Sequence, residues 1–450
     1  MTTNVFEEQN ISKAVIKLGI PAMLGSLTTL VYNIADTYFV ALTKTPAMIA
    51  AVTLCVPILL IIMSIACIFG MGGSSVMARM LGEGRGKDAA KCLNFCTYAM
   101  TIVGLIVLVL GLLFTEQIAV VAGADSENLA YTCDYLKWIF IGTPAIMLSN
   151  GLTHAFRSIG LIKEATIGMA LGNGINIVLD WIFIVLLGMG TMGAALATSL
   201  GFVCGTLYYL ICLVLQEKKG NICVKMAPKH FSMEKQMVGS VIKIGIPGAL
   251  ITVMLSVSNI VLNNFIGIYG SDAVASYGIA YKIDMFPIML SVGLSQGAAP
   301  LVGYYFGQKN EKKLAKAMRV SILYGILLGA AFLVVLFFGN RLFAGVFIED
   351  PALLDQTAFF LRLLCFHAPL LGIINMVTAY FQALGKAAAS LTITILRNLA
   401  LFIPGVMLMN YLFGLTGVLL TQFTVEVVIS VICLLLYAIN KPAKLVAGAK

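Results

Sequence analysis

Two aspartates lie within long apolar stretches of this sequence of 450 residues, and neutral oxygen-bearing side chains accompany them. The first is Asp36, and the second is Asp180, which ends the segment Asn173-Gly-Ile-Asn176-Ile-Val-Leu-Asp180. On a helix, residues spaced three and four apart share one face. Thr198, in the next apolar stretch, adds a hydroxyl oxygen. Two carboxylates with amide and hydroxyl oxygens suit a hard cation such as Na⁺, or protons shared between the acids.

The composition indicates that membrane-spanning helices position these residues. Hydrophobic residues make up 60% of the chain and charged residues 11%, and the mean hydropathy is +0.99. A soluble chain is about 25% charged, so a large soluble enzyme is excluded. The apolar runs are also too long and unbroken for the alternating strands of a β-barrel. The sequence therefore predicts an all-α membrane protein with about twelve transmembrane helices of roughly 20 residues or more. The predicted helices span residues 14–41, 47–77, 93–113, 135–156, 166–187, 192–215, 240–268, 276–305, 317–338, 358–384, 390–411 and 415–439.

Basic residues concentrate in every second connection, which predicts the orientation of the helices. The opposite connections hold only Lys44 and Arg341 as basic residues. Short basic loops stay on the cytoplasmic side, so we expect a multi-pass protein of the inner (plasma) membrane with both termini in the cytoplasm. The net charge of +9 is then an orientation signal, and nucleic acid is not an expected partner. The basic connections lie at residues 79–91, 157–163, 218–235, 309–319 and 386 and in the tail 441–450.

An internal repeat divides the chain into two similar halves. Lys17-Leu-Gly-Ile-Pro21 recurs as Lys243-Ile-Gly-Ile-Pro247, 226 residues later, and further matches follow at an offset near 225. The repeat predicts an N-terminal six-helix lobe (1–215), a cytoplasmic linker (216–239) and a C-terminal six-helix lobe (240–450). Because six helices return the chain to the same side, the lobes are expected to be related by a pseudo-two-fold axis along the membrane normal. Some transporters rock such repeats around a central cavity.

The two aspartates do not recur. Leu262 stands at the repeat position of Asp36, and Gly405 at that of Asp180. Carboxylates that only supported helix packing would be expected in both halves. Their absence from the second half predicts a specialised cation or proton site in the N-terminal lobe, although each acid could instead hydrogen-bond a neighbouring helix.

Other residues are secondary candidates. Pro21 removes a backbone hydrogen bond inside the first helix and predicts a kink, which is either static or a conformational hinge. Glu426 and Arg397 could form an ion pair between neighbouring helices. For Asp284 an internal pairing is an alternative to substrate contact, and for the methionines it is contact with lipid. The candidate residues of a substrate cavity are Asn33, Met254, Lys282, Asp284, Met285 and Met289.

The sequence lacks motifs of ATP use and of hydrolysis. No Gly-rich phosphate loop ends in Gly-Lys-Ser/Thr, and none of the three histidines occurs in a His-Glu-x-x-His pattern. We therefore expect no enzyme activity and no cofactor other than a coupling ion.

Taken together, these features resemble the multidrug and toxic compound extrusion (MATE) family, and most closely its bacterial multidrug efflux branch. The resemblance implies a V-shaped pair of six-helix lobes, a bending proline at Pro21, and an N-lobe cation site at Asp36, Asn176, Asp180 and Thr198. Some members carry acidic residues in the seventh and tenth helices, but 240–268 and 358–384 have none in their cores. The resemblance therefore gives no support for an ion site in the second lobe. Its motifs are Ile20-Pro21 with Asp36, Gly82, Asn176–Asp180, Gln296–Pro300 with Gly307, and Phe381–Gly385.

The predicted function is secondary active multidrug efflux. Organic cations and other amphipathic drugs would leave in exchange for Na⁺ or H⁺, and the sequence does not distinguish these two ions. The expected form is a monomer in the lipid bilayer. The alternative is a flippase for a lipid-linked oligosaccharide or a related lipid, which would need basic residues in its cavity. Only Lys282, Arg362 and Arg397 could supply them.

Overall fold

The computed structural model describes residues 5–219, 231–348 and 350–441, and within these residues it contains helices and no β-strand. Parts of three predictions fall outside them: residues 1–4 of the predicted N-terminal lobe, residues 220–230 of the predicted linker, and residues 349 and 442–450 of the predicted C-terminal lobe. The first repeat forms α1 (Ile11–Ala41), α2 (Pro46–Gly82), α3 (Gly86–Leu113), α4 (Thr115–Val121), α5 (Leu129–Ser158), α6 (Ile162–Asp180) and α7 (Gly190–Lys218). The second forms α8 (Lys235–Gly267), α9 (Ser271–Gly307), α10 (Glu311–Gly345), α11 (Pro351–Leu364), α12 (Ala368–Ala383), α13 (Ala387–Ile395) and α14 (Phe402–Ile439).

The helices account for the twelve predicted spans. Ten helical segments of the described chain are long and apolar enough to cross a membrane, and one of them, Ala387–Ile439, is 53 residues long. Gly414, with φ 57° and ψ −141°, divides that segment into two. The further span is α5, which is long enough but carries more polar side chains. Most helices extend beyond the predicted ends, because hydropathy detects only the apolar part of a helix that continues into the polar interface.

Three short irregular segments interrupt the helices. A π-helical segment, Trp181–Leu186, follows α6, and a second one, Leu396–Ala400, follows α13. Between α11 and α12 lies a 3₁₀ turn, Cys365–His367. Pro369 explains this turn, since its nitrogen cannot donate to the carbonyl of Cys365 and its ring would clash there in a continuous α-helix.

Packing divides the chain into two units, and each unit exchanges part of a helix with the other. Unit 1 comprises residues 1–7 and 24–249, and unit 2 comprises 8–23 and 250–450. The predicted boundaries placed all of α1 in the N-terminal lobe, and all of α8 except residues 235–239 in the C-terminal lobe. By packing, α1 belongs to unit 2 up to residue 23 and to unit 1 after it, whereas α8 belongs to unit 1 up to residue 249 and to unit 2 after it. The change of unit comes two residues after Pro21 in α1 and two residues after Pro247 in α8.

The repeated Lys-x-Gly-Ile-Pro motif has a packing role in each unit. In unit 1, a Cβ atom added to Gly245 of α8 would lie 1.9 Å from the backbone oxygen of Ile68 in α2. In unit 2, a Cβ added to Gly297 of α9 would lie 2.6 Å from the backbone oxygen of Leu18 and 3.0 Å from the Cα of Gly19 in α1. Only residues without a side chain permit backbones to approach this closely.

Replacing Gly245 by alanine is expected to destabilise the fold by about 1–3 kcal/mol, because the added methyl overlaps backbone that must move. Gly239→Ala, in the same helix, is the matched control, since its new Cβ would have no neighbour within 4 Å. Thermal unfolding of the detergent-solubilised protein should show a lower Tm for Gly245→Ala only. Equal Tm values for both variants would contradict the close crossing of α2 and α8.

Candidate functional site

Helices α6 and α7 bring three of the predicted site residues together in unit 1. Asp180 is the last residue of α6, and Asn176 lies one helical turn before it on the same face. Asp180, Asn176 and Thr198 of α7 are 0%, 3% and 1% exposed. The Asn176 side-chain amide donates a hydrogen bond to the Thr198 hydroxyl, with a nitrogen–oxygen distance of 3.3 Å. This bond joins the two helices beside Asp180 and leaves the amide oxygen of Asn176 available to another group.

Several oxygens at this site are buried and have no hydrogen-bond partner. They are both carboxylate oxygens of Asp180, the Oδ1 of Asp36 and the Oδ1 of Asn176. The charge of Asp36 acts on Asp180, so the two carboxylates share one electrostatic environment. A buried acceptor without a donor carries an unrecovered desolvation cost. A proton or a small cation would satisfy these oxygens, and the oxygen-only donor set fits Na⁺.

Two tyrosines that the sequence analysis missed also lie at this site. Tyr32 of α1 is 8% exposed and forms a side-chain hydrogen bond with Thr198. Its hydroxyl group lies close enough to both aspartates for their charges to act on it. Tyr135 of α5, 5% exposed, is affected by the same two charges. Tyr32 could have been found, because it lies four residues before Asp36 and so shares its helix face. Tyr135 could not, because only tertiary packing brings α5 to the site.

Asn173 has a different environment from the other predicted residues. Its side-chain amide lies 3.4 Å from the Thr28 hydroxyl and 3.3 Å from the Thr29 hydroxyl, as donor to both. These threonines are on α1, about two turns before Asp36. Asn173 therefore connects α6 to α1. Pro21 lies about two turns before Thr28, and α1 continues through it as one helix.

The predicted substrate-cavity residues differ in their accessibility. The side chains of Asn33 and Lys282 are exposed, and those of Met254, Met285 and Met289 are half-buried. Asp284 is only 2% exposed, and its Oδ2 lies 2.7 Å from the Nε2 of His367. Asp284 is therefore paired internally, which was the alternative to substrate contact. A carboxylate within a membrane is stabilised by such a buried polar partner.

The predicted ion pair between α14 and the second π-helical segment is confirmed. An Nη2 of Arg397 contacts Oε1 of Glu426, whose side chain is fully buried. Among the residues that the structure describes, no group of three or more His, Cys, Asp or Glu side chains is arranged to hold a metal ion. The site around Asp36 and Asp180 has only two acids, and its other donors are neutral.

Comparison with known proteins identifies the fold. The family model MatE matches residues 21–182 and again residues 247–408. The chain belongs to the MATE family. The two matched ranges begin 226 residues apart, at the two prolines of the repeated motif, so each repeat contains one match to the family model. Members of this family are membrane transporters, and the chain is not an enzyme.

Curated relatives of this MATE chain are multidrug export proteins. The chain is 32% identical to the multidrug export protein MepA of Staphylococcus aureus over 428 residues, which cover 94% of this chain and 92% of the relative. It is 34% identical to MepA of Staphylococcus haemolyticus over 426 residues, again with 94% and 92% covered.

Solved structures of MATE transporters match the fold over nearly its whole length. A crystal structure of MATE in complex with MaL6 has a TM-score of 0.93 at 25% identity and covers 98% of both chains. An outward-facing multidrug resistance MATE family transporter of the MOP superfamily has a TM-score of 0.92 at 26% identity, also with 98% of both chains covered.

The carboxylate oxygens of Asp180 have no hydrogen-bond donor, so we expect the ionised side chain to lower the stability of the protein when no ion is bound. At alkaline pH and without Na⁺, Asp180→Asn is expected to stabilise the protein by about 1–3 kcal/mol, because it removes a buried charge that has no donor. Asp134→Asn is the control, since Asp134 is 52% exposed in a surface pair with Lys137. The measurement is the Tm in detergent. Acid or Na⁺ should raise the Tm of the wild type by more than that of Asp180→Asn, which keeps only Asp36. A variant less stable than the wild type at alkaline pH would refute this prediction.

Proposed function

We propose that this chain exports organic cations and other amphipathic drugs by antiport with Na⁺ or H⁺, through alternating access of its two lobes. The observation that carries the proposal is the pair of carboxylates in unit 1, with buried oxygens that have no hydrogen-bond donor. The names of the MepA relatives, multidrug export proteins, support the cargo class. The proposed setting is the plasma membrane, with both termini cytoplasmic and the monomer as the working form.

The coupling ion acts first on Asp180 and Asp36. A proton or Na⁺ neutralises the pair, and the oxygens of Asn176 and Thr198 complete the donor set if the ion is Na⁺. Unoccupied, the pair places negative charge in an apolar surrounding, which is costly. The ion drives a conformational change only if it binds one state more tightly than the other. Exchange of one monovalent ion for one monovalent drug moves no net charge, whereas a second coupled ion would add about 2.3 kcal/mol per 100 mV.

Helix α1 links ion binding to movement. Asp36 lies in the part of α1 that belongs to unit 1, and Pro21 lies in the part that belongs to unit 2. Pro21 cannot donate the backbone hydrogen bond of a regular helix, so α1 bends there at lower cost. We propose that neutralisation of Asp36 changes the bend at Pro21, and that this change accompanies drug release.

The environments of the basic residues favour an exporter over a lipid flippase. Arg397 is paired with Glu426, and the guanidinium of Arg362 lies 5.9 Å from the centre of the Phe337 ring. Of the three basic side chains that could bind an anionic lipid headgroup, these two already have contacts, and Lys282 is the exposed one. A single lysine is a weak site for a pyrophosphate, which typically binds several cationic donors.

Asp36→Asn and Asp180→Asn are each expected to abolish gradient-driven efflux, because an amide cannot exchange a proton and binds a cation far more weakly than a carboxylate. The measurement is ethidium efflux from proteoliposomes under a Na⁺ gradient and, separately, a pH gradient. The gradient that drives efflux in the wild type identifies the coupling ion. Asp134→Asn should transport at the wild-type rate in the same assay. Wild-type rates in both site variants would refute the assignment of these residues.

A further inference from the structure

A second group of buried ionisable side chains surrounds His367 in unit 2. The Nε2 of its imidazole lies 2.7 Å from the Oδ2 of Asp284 in α9, and its Nδ1 lies 3.0 Å from the Oε2 of Glu426 in α14. The side chains of all three residues are at most 2% exposed. The histidine comes from the 3₁₀ turn that Pro369 imposes between α11 and α12, so an irregular part of the backbone places the ring between the two acids.

The geometry fixes how many protons this group must hold. A neutral imidazole has one N–H donor and one nitrogen lone pair, whereas an ionised carboxylate only accepts hydrogen bonds. Two ionised carboxylates at the two ring nitrogens therefore leave a lone pair facing an anion. Both contacts become favourable when the ring carries a proton on each nitrogen, or when one carboxyl is protonated. Either way, the group formed by Asp284, His367 and Glu426 holds one exchangeable proton beyond the neutral ring.

Charge balance leads to the same proton count. Arg397 donates to Oε1 of Glu426, as does the Nε2 of Gln422 at 2.7 Å. With a protonated His367, the two acids are matched by two cationic groups and the group is neutral. Loss of the proton leaves one net negative charge among buried side chains. That charge can be compensated by the same proton or by the positive charge of a cationic substrate.

The other ionisable groups that the structure describes around Asp284, His367 and Glu426 do not supply the positive charge that replaces the proton. Tyr277, Tyr281 and Cys365 are the further ionisable residues on which the Asp284 charge acts, and tyrosine and cysteine are ordinarily uncharged at neutral pH. On α11, Arg362 lies against the ring of Phe337 of α10. On α12, the neutral Asn375 accepts from Arg397 and donates to Ser291.

The cluster has one acceptor that is not satisfied, and it occurs in one repeat only. The Oδ1 of Asp284 is buried and has no hydrogen-bond partner. At the repeat offset of 225, Gly142 stands at the position of His367 and Leu59 at that of Asp284. Like the aspartates of unit 1, these residues are therefore not part of the shared architecture of the two repeats.

We propose that Asp284, His367 and Glu426 form a second proton-binding site, in unit 2, and that its proton leaves when a cationic substrate binds and returns when the substrate is released. The exchange rests on the proposed function. The step moves one proton from the site to water and back, and it changes no covalent bond other than the N–H or O–H bond of that proton. Na⁺ does not replace the proton, because an imidazole nitrogen between two carboxylates offers it no oxygen cage.

Protonation of His367 can be observed directly because the chain has only three histidines. In protein with ¹⁵N-labelled histidine, we expect one ring with two N–H groups at pH 7.5, or one ring bonded to a protonated carboxyl. His367→Gln should remove that signal, which assigns it. A neutral His367 ring that titrates as a free imidazole does would overturn the proposal.

A charge-balanced variant separates proton binding from folding. His367→Gln alone leaves one buried negative charge and should lower the Tm. The double variant Asp284→Asn/His367→Gln removes one negative charge together with the protonated group, so it stays neutral and should recover most of the lost Tm. Failure of the double variant to be more stable than His367→Gln would contradict the charge count.

Proton exchange is tested by the protons released when ethidium binds in weakly buffered solution. The double variant should release about one proton per protein fewer than the wild type. The same difference of about one released proton should persist when the two proteins compared both carry Asp36→Asn and Asp180→Asn. Equal release from the wild type and the double variant at equal ethidium occupancy would overturn the exchange. Absence of ethidium binding to the wild type would overturn the proposed function and the exchange with it, whereas the NMR result would stand.

Discussion

A negative charge inside a membrane protein must be compensated, and the two units do this in different ways. In unit 2, the carboxylates of Asp284 and Glu426 contact His367, and Glu426 also contacts Arg397, so each carboxylate has a side-chain partner and one added proton completes the charge balance. In unit 1, neither oxygen of Asp180 has a hydrogen-bond partner. A site that lacks an internal partner must obtain a proton or cation from outside. This difference supports the proposal that an external coupling ion binds in unit 1, and that the exchangeable proton proposed for unit 2 is shared with His367.

Each group has a residue at or beside an irregular segment of the helices. Asp180 directly precedes the π-helical segment Trp181–Leu186, Arg397 lies within the segment Leu396–Ala400, and His367 ends a 3₁₀ turn. Such segments shift the side-chain register of a helix and leave backbone groups outside the regular bonding pattern, and they are frequent at functional sites. Asp180 and His367, at two of these segments, are 0% and 1% exposed.

Helices α1 and α8 are each divided between the two units. Each unit holds the first part of a helix whose second part belongs to the other unit, and the glycine crossings anchor those first parts. Close backbone crossings at Gly245, and between Gly297 and the Leu18–Gly19 segment, lie within three residues of Pro247 and Pro21. The bend that we propose at Pro21 would therefore lie beside a closely packed part of the helix.

Local patterns in the sequence determined the helices, the repeat and the two aspartates of unit 1, because hydropathy and helical spacing act over a few turns. The same spacing could have identified Tyr32. Tertiary structure alone decided which distant residues meet: His367 is 83 residues from Asp284 and 59 from Glu426. It also decided that Asp284 is buried, that Tyr135 lies within range of the aspartate charges, and that α1 and α8 are divided between units. These results depend on how helices cross, and crossing is set by packing between segments that no short stretch of sequence contains.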